Sequence, residues 1–240
     1  MLFRSFYKER HEAQFTMLLQ YLDVLPDHIV VDIGSGTGSL AEQLTEKFQL
    51  KNPVWCVEPS AEMQEFAKKK KNVFPVQKTA DEFVDELNTD QRFDRAFCIG
   101  AAHHFADPVK IYKAVEASLT PGGVFWIVQV SEYIYPWFTK PGNRISDFVG
   151  GRKESTASLL RSANFDVEVA EEKIDYNVTK SQWYDMLRGA FHSTLRELSD
   201  EEMNEGIDEL EKGKLKDLKL HDHILISCKV LVFTARKKTN

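Results

Sequence analysis

The chain has 240 residues, 42% hydrophobic and 28% charged, with a formal net charge of -6. Such a composition suits a soluble globular protein with a substantial core. The acidic excess argues against a broad nucleic-acid or anionic-membrane surface, since both would call for basic residues. No apolar run reaches membrane-spanning length. The N-terminus, Met1-Leu-Phe-Arg-Ser-Phe-Tyr-Lys-Glu-Arg10, is charged from the start and lacks an apolar signal core. Cys56, Cys98 and Cys228 each sit in a strand-like apolar run, with neither pairing arithmetic nor metal-ligand spacing. They read as reduced core residues of a cytoplasmic protein, and no metal site is expected.

Phe15, Leu18, Leu19 and Leu22 recur at helical spacing, so a first helix is expected from about Glu9 to Val24, closed by Pro26. Strand-like runs then alternate with amphipathic segments. The strands are Ile29–Ile33, Val54–Val57, Val73–Val76, Arg95–Ile99 and Val124–Val130. The helices between them are marked by Leu40, Leu44 and Phe48; by Met63, Phe66 and Ala67; by Phe83, Val84 and Leu87; and by Val109, Tyr112, Val115 and Leu119. Asp107-Pro108 opens the last as N-cap and first-turn proline, and Thr120-Pro-Gly-Gly123 is a turn into the next strand. Apolar strands alternating with helices mean a parallel sheet covered on both faces. After Val130 the pattern changes. An aromatic, irregular stretch precedes a helix at Ser155–Ala163, a strand at Val167–Tyr176, two capping boxes at Thr179–Gln182 and Ser199–Glu202, and a last strand at Ile224–Phe233. The two late helices look like an insertion between the last two strands.

The stretch Val30-Val-Asp-Ile-Gly-Ser-Gly-Thr-Gly-Ser-Leu40 lies between a strand and a helix. That context offers backbone N–H groups and a helix start to a ligand. A phosphate loop would end in Gly-Lys-Ser/Thr, and no lysine follows until Lys47. A dinucleotide loop counted from Gly34 would place Gly or Ala where Ser39 stands. Asp32, two residues before the first glycine, would repel a pyrophosphate and welcome a cation.

Asp32-Ile-Gly-Ser-Gly-Thr-Gly38 resembles motif I of the class I S-adenosylmethionine-dependent methyltransferases. Further segments follow in that family's order. Val54-Trp-Cys-Val-Glu58-Pro-Ser-Ala-Glu-Met63 ends the second strand with an acid about twenty residues past the loop, the distance at which an acid meets ribose hydroxyls. Lys78–Phe83 resembles the segment that lines adenine, Phe93–Phe105 the fourth-strand motif of the small-molecule group, and Leu119–Val128 the turn into the fifth strand.

The resemblance implies a Rossmann-like α/β fold: a seven-stranded, mostly parallel sheet with helices on both faces, an antiparallel last strand, and a helical lid inserted between the last two strands. It implies one domain over residues 1–240, with an N-terminal cap helix (1–27), a cofactor-binding half (28–130) and a substrate-side half (131–240) whose helical insertion spans about 179–213. The implied cofactor is S-adenosylmethionine, which bears cations and no phosphate. Asp32, Gly34, Ser35 and Gly36 would hold its methionine part, and Glu58 and Pro59 would lie at the ribose. Met63, Thr79, Ala80 and Asp81 would surround the adenine, with the Ile99–Gly100 backbone at the amino end.

Two histidines, His103 and His104, follow the fourth strand. One of them could accept a proton from an attacking hydroxyl or amine, or both could simply wall the pocket. Many such enzymes work by alignment alone. Tyr7, Trp137 and Arg188 are candidates for substrate binding, Arg188 as the anchor of a carboxylate. Where amide or adenine nitrogen is methylated, an Asn/Asp-Pro-Pro-aromatic run is expected after strand four; here Ile99-Gly-Ala-Ala-His-His-Phe105 stands instead. No Pro-Cys nucleophile is present. What remains is methyl transfer to an oxygen or nitrogen of a small molecule, with a layout similar to the methyltransferases of small carboxylic acids such as trans-aconitate. The alternative is a protein that binds S-adenosylmethionine without turnover, as a partner or scaffold. Neither nucleic acid nor membrane is an expected partner, and the sequence leaves the oligomeric state open.

Overall fold

The computed structural model describes residues 12–88, 90–139, 152–190 and 195–238. Residues 12–18 form α1. Then come β1 (Val30–Ile33), α2 (Ser39–Phe48), β2 (Val54–Val57), α3 (Ala61–Ala67), β3 (Val73–Val76), α4 (Ala80–Glu86) and β4 (Phe93–Ile99). A 3-10 turn (Ala102–His104) leads to α5 (Pro108–Ser118), β5 (Leu119–Ile134), α6 (Arg152–Ser162), β6 (Phe165–Thr179), α7 (Lys180–Arg188), α8 (Asp200–Lys212) and β7 (His223–Lys237). The strands form one seven-stranded sheet in the order β3-β2-β1-β4-β5-β7-β6. The pairs β1/β2, β1/β4, β2/β3 and β4/β5 are all parallel, and the last strands run antiparallel. The order runs outward from β1 to β3 and restarts beside β1 with β4. Such a reversal opens a crevice at the carboxyl ends of β1 and β4, where ligands of open α/β sheets bind.

The expected fold is therefore present, with adjustments at the element ends. The first helix stops at residue 18 rather than Val24. Asp23 is drawn to the buried Arg95, whose Nε donates to the Asp23 carbonyl at 2.5 Å and whose Nη2 meets its carboxylate at 3.1 Å. The Thr-Pro-Gly-Gly turn lies inside β5, where these four residues oppose the single Asp94: Phe93 pairs Leu119, and Arg95 pairs Val124. Asp94 closes this bulge. One of its oxygens accepts the Ile29 N–H at 2.8 Å, and the other accepts the Thr120 hydroxyl at 2.9 Å.

The chain divides into two compact units. One comprises residues 21–129, 152–171 and 231–240. Its core packs Val31, Ile33, Phe93, Phe125 and Leu231 under α4, α5 and α6, and Phe93, Phe97 and Phe125 are each at most 1% exposed. Complete burial of such a side chain contributes about 1.5–3 kcal/mol. All three cysteines are free and buried, as their apolar runs imply.

In α3 the expected apolar stripe is out of phase. Met63 and Phe66 are 39% and 47% exposed, while Gln64 and Ala67 are 0% exposed. The buried face is therefore Gln64–Ala67, with a polar side chain at its centre.

The other unit comprises residues 1–20, 130–151 and 172–230. Lys180 pairs Asp222 through its backbone N–H, and Ser227 donates to Asp175 across the β6–β7 ladder. These partner numbers have a constant sum, the mark of an antiparallel pair. Both capping boxes read from the sequence are made: Thr179 with Gln182 opens α7, and Ser199 with Glu202 opens α8. Lys180 is 2% exposed. Its ammonium donates to the carbonyls of Leu215 and Leu218 at 2.8 and 2.7 Å and pairs with Glu211, so all three protons are used. Among the described residues no helix is long and apolar enough to cross a membrane, and no cluster of metal-ligating side chains occurs.

Candidate cofactor site

The glycine loop joins β1 to α2, and its three glycines serve different ends. Gly34 has φ +83, and a Cβ there would lie 2.2 Å from Ala101 Cβ. Its bareness lets the loop after β4 close on the loop after β1. At Gly38 a Cβ would lie 3.2 Å from Ala67 Cβ on α3. Only Gly36, at φ +54, faces open space, with nothing within 4 Å of the missing Cβ. Protein packing therefore accounts for Gly34 and Gly38, whereas at Gly36 the left-handed backbone alone calls for glycine and the space beside it is open.

The loop N–H groups expected to await a ligand are also largely committed. Those of Gly34 and Ser35 both donate to the Val57 carbonyl, at 2.8 and 3.1 Å. The Gly36 N–H donates to Glu58 Oε2 at 3.1 Å. Ser35 Oγ is buried beside the Cys56 thiol.

Asp32 stands at the end of the central strand, paired in register with Cys56 on one side and Phe97 on the other. It is 2% exposed, and no described residue hydrogen-bonds its carboxylate. Burial holds its pKa well above the usual carboxylate range, and the Glu58 charge adds to the effect. Burial likewise raises the Cys56 and Cys98 thiols, with the Asp32 charge as the second cause. A buried carboxylate with no donor, beside a second acid, is an electrostatic vacancy for a cation.

Glu58 is oriented from both sides. Oε1 accepts the Ser60 N–H at 3.0 Å, and Oε2 accepts the Gly36 N–H. Each oxygen keeps a further lone pair, so the carboxylate can still accept two hydroxyls. Pro59 is exposed, and Ser60 caps α3 through the Met63 N–H, leaving the Met63 side chain 39% exposed.

Thr79 caps α4 in a capping box with Glu82. The Asp81 carboxylate accepts the Ala106 and Asp107 N–H groups at 3.2 and 3.1 Å. Ala80 packs against the core. These side chains thus fasten α4 to the loop after the 3-10 turn. The Gly100 N–H donates to Val128 at 2.9 Å, and Gly100 has φ +69 with open space at its missing Cβ. Ile99 is half-buried at the end of β4. His103 and His104 are exposed on the 3-10 turn, with ring centroids 3.9 Å apart. Hollows beside Glu42, Thr45 and Asn72 and beside Trp55, Lys78 and Leu87 contain neither the glycine loop nor Glu58.

The candidates for substrate binding fare differently. Tyr7 lies outside the described residues. Trp137 is 6% exposed, packed against Tyr135 at 5.4 Å and Trp183 at 5.6 Å. Its ring belongs to the interior of its unit and is not an open wall. Arg188 is exposed on the last turn of α7. One turn earlier Tyr184 is buried and donates to Glu211 at 2.6 Å.

The residues present fit S-adenosylmethionine: the unpartnered Asp32 and the acid beside it suit a cation, the Gly36 cradle is open, and the Glu58 oxygens have spare lone pairs. The family model of a methyltransferase domain matches residues 31–127. That segment is therefore similar to a methyltransferase domain. Solved structures share the fold. A protein of Bacillus halodurans described as a candidate methyltransferase is 18% identical, with a TM-score of 0.62 over 94% of this chain and 99% of that one. Phosphoethanolamine N-methyltransferase 2 of Haemonchus contortus, in complex with phosphomonomethylethanolamine and S-adenosylhomocysteine, is 19% identical, with a TM-score of 0.58 over 94% of this chain and 52% of that one. The [4+2]-cyclase SpnF is 15% identical, with a TM-score of 0.59 over 95% of this chain and 80% of that one. No curated protein matches the chain in sequence.

Proposed function

We propose that the protein transfers a methyl group from S-adenosylmethionine to an oxygen or nitrogen of a small-molecule acceptor by in-line displacement. The observation that carries the reading is Asp32: buried, without a donor, and next to a second acid at the carboxyl end of the central strand. A group so costly to keep charged is retained where a cationic ligand compensates it. S-adenosylmethionine held there would supply an electrophilic methyl carbon, which would pass to the acceptor atom as the carbon–sulfur bond broke with its electron pair left on sulfur.

The chain's part is binding and orientation. Asp32 and the open Gly36 cradle hold the methionine end, with the Gly100 backbone beside them. Glu58 takes the two ribose hydroxyls on its spare lone pairs, and the exposed Met63 offers an apolar surface to the adenine. His103 or His104 receives the proton of a hydroxyl or amine acceptor, and an exposed imidazole can pass it to water. The acidic chain favours a small metabolite over nucleic acid. A small carboxylic acid remains the acceptor class suggested by the late helices, with the exposed Arg188 as its anchor.

Calorimetry with S-adenosylhomocysteine tests the cofactor assignment. Glu58→Ala removes hydrogen bonds to a charged acceptor, and the loss of one alone, worth about 1.5–3 kcal/mol, lowers affinity at least tenfold. Unchanged affinity would sink the assignment. Incubation of the protein and S-adenosylmethionine with metabolite pools, read as S-adenosylhomocysteine release, tests turnover. Cofactor binding with no release from any pool would favour a non-catalytic role.

A further inference from the structure

Gln64 is a polar residue that the sequence pattern gives no reason to single out, yet it is 0% exposed. Its Nε2 lies 3.0 Å from the Cys56 carbonyl, 3.2 Å from that of Glu58 and 3.0 Å from that of Val76. Its Oε1 is buried with no hydrogen-bond partner. Burying an amide with half its capacity unmet is costly, so the other half must matter. The three carbonyls lie where β2 and β3 end. Val76 and Val57 are the last residues in register, and beyond them the Glu58 N–H still donates to Val76 at 3.0 Å. With that bond on its amide side and Gln64 on its carbonyl side, the Glu58 backbone is clamped at both ends. The side-chain oxygens are clamped again, by Gly36 and Ser60.

Apolar packing would serve α3 at less cost. Leucine at this position would dock the helix against β2 equally well, but it would take the side-chain donor away from the Cys56 and Glu58 carbonyls at the point where the chain turns toward Glu58, while Val76 would keep the Glu58 and Lys78 N–H groups. We infer that Gln64 is a positioning residue of the cofactor site: its amide fixes the backbone at the end of β2 and thereby aims the Glu58 carboxylate at the ribose hydroxyls. The inference rests on the assignment of Glu58 to the ribose.

The test is a double-mutant cycle on S-adenosylhomocysteine affinity, measured by calorimetry with Gln64→Leu, Glu58→Ala and the double variant. Gln64→Leu is expected to raise the Kd by about tenfold in the parent protein and to have little further effect once Glu58 is alanine, because a positioning residue acts only through the group it positions. Equal losses in both backgrounds, or no loss in the single variant, overturn the inference. If Glu58→Ala itself leaves the Kd unchanged, it is the ribose assignment that fails. Should Gln64→Leu fail to fold, the parent protein decides by NMR. The Gln64 side-chain N–H resonances are expected to exchange slowly and to shift when S-adenosylhomocysteine is added. Fast exchange, or resonances that ignore the ligand, overturn the proposal.

Discussion

Among single residues, Asp32 shows most directly how function and stability oppose each other. Its carboxyl is buried and without a donor, and its pKa is raised by burial and then by Glu58. With the folded-state pKa above the unfolded one, the native state holds this proton longer. The associated stability is fully present below the ordinary carboxylate pKa and is lost as pH rises through the raised value. As pH rises from the acid range the ligand-free protein therefore gives up stability at this carboxyl. Asp32→Asn removes the ionisable group at nearly constant shape. Thermal melts of the ligand-free variant should show a higher Tm than the parent at pH 7, with the difference shrinking as pH falls. Affinity for S-adenosylmethionine should drop in the same variant. A variant whose Tm at pH 7 is no higher than the parent's, or whose advantage does not shrink as pH falls, would refute the account. The motif around Asp32 was legible in the sequence because acid and glycine are chemically distinctive there. The separate reasons for its glycines were not. The neighbour that excludes a side chain at Gly34 is Ala101, brought close only by the pairing of β1 with β4.

Local pattern alone predicted the helices and strands themselves well: the capping boxes at Thr179 and Ser199 and the Asp107-Pro108 start all appear as expected. It failed where a side chain answers to distant backbone. In α3, periodicity pointed to Met63 and Phe66 as buried, whereas the carbonyls of β2 and β3 draw Gln64 inward and turn both apolar residues outward. Gly206, in the middle of α8, is a second case. By helix propensity alone, replacing it with alanine would stabilise the protein by about 1 kcal/mol. A Cβ there, however, would lie 2.3 Å from the Phe138 ring, which is itself 2% exposed. Overpacking of that kind costs about 1–3 kcal/mol, and a buried ring has little room to withdraw. Gly206→Ala is therefore expected to be net destabilising, by up to about 2 kcal/mol, in denaturant melts. The paired change Phe138→Leu with Gly206→Ala should recover part of the loss. Stabilisation by Gly206→Ala alone would mean that Phe138 yields freely.

For the whole molecule, alternation of strand and helix implied a parallel sheet but not its order, which depends on which strands meet. The order β3-β2-β1-β4-β5 places the ends of β1, β2 and β4 side by side and so assembles Asp32, Glu58 and Gly100 from segments far apart in sequence. All the proposed cofactor contacts fall within residues 32–100, inside one of the two compact units. A ligand that binds only the folded form stabilises it by mass action, about 2.7 kcal/mol at a hundredfold excess over Kd. For a chain of this size each kcal/mol moves Tm by about 2–4 °C, so S-adenosylhomocysteine at that excess should raise Tm by roughly 5–10 °C. At the same ligand concentration a tenfold weaker variant forfeits about 1.4 kcal/mol, and Glu58→Ala should therefore show a shift smaller by roughly 3–6 °C. In scanning calorimetry, if the two units melt separately, the transition of the unit bearing Asp32 and Glu58 should move and the other should stay. An equal ligand shift in the parent protein and in Glu58→Ala would show that the stabilisation arises elsewhere, and the ribose assignment would fall with it.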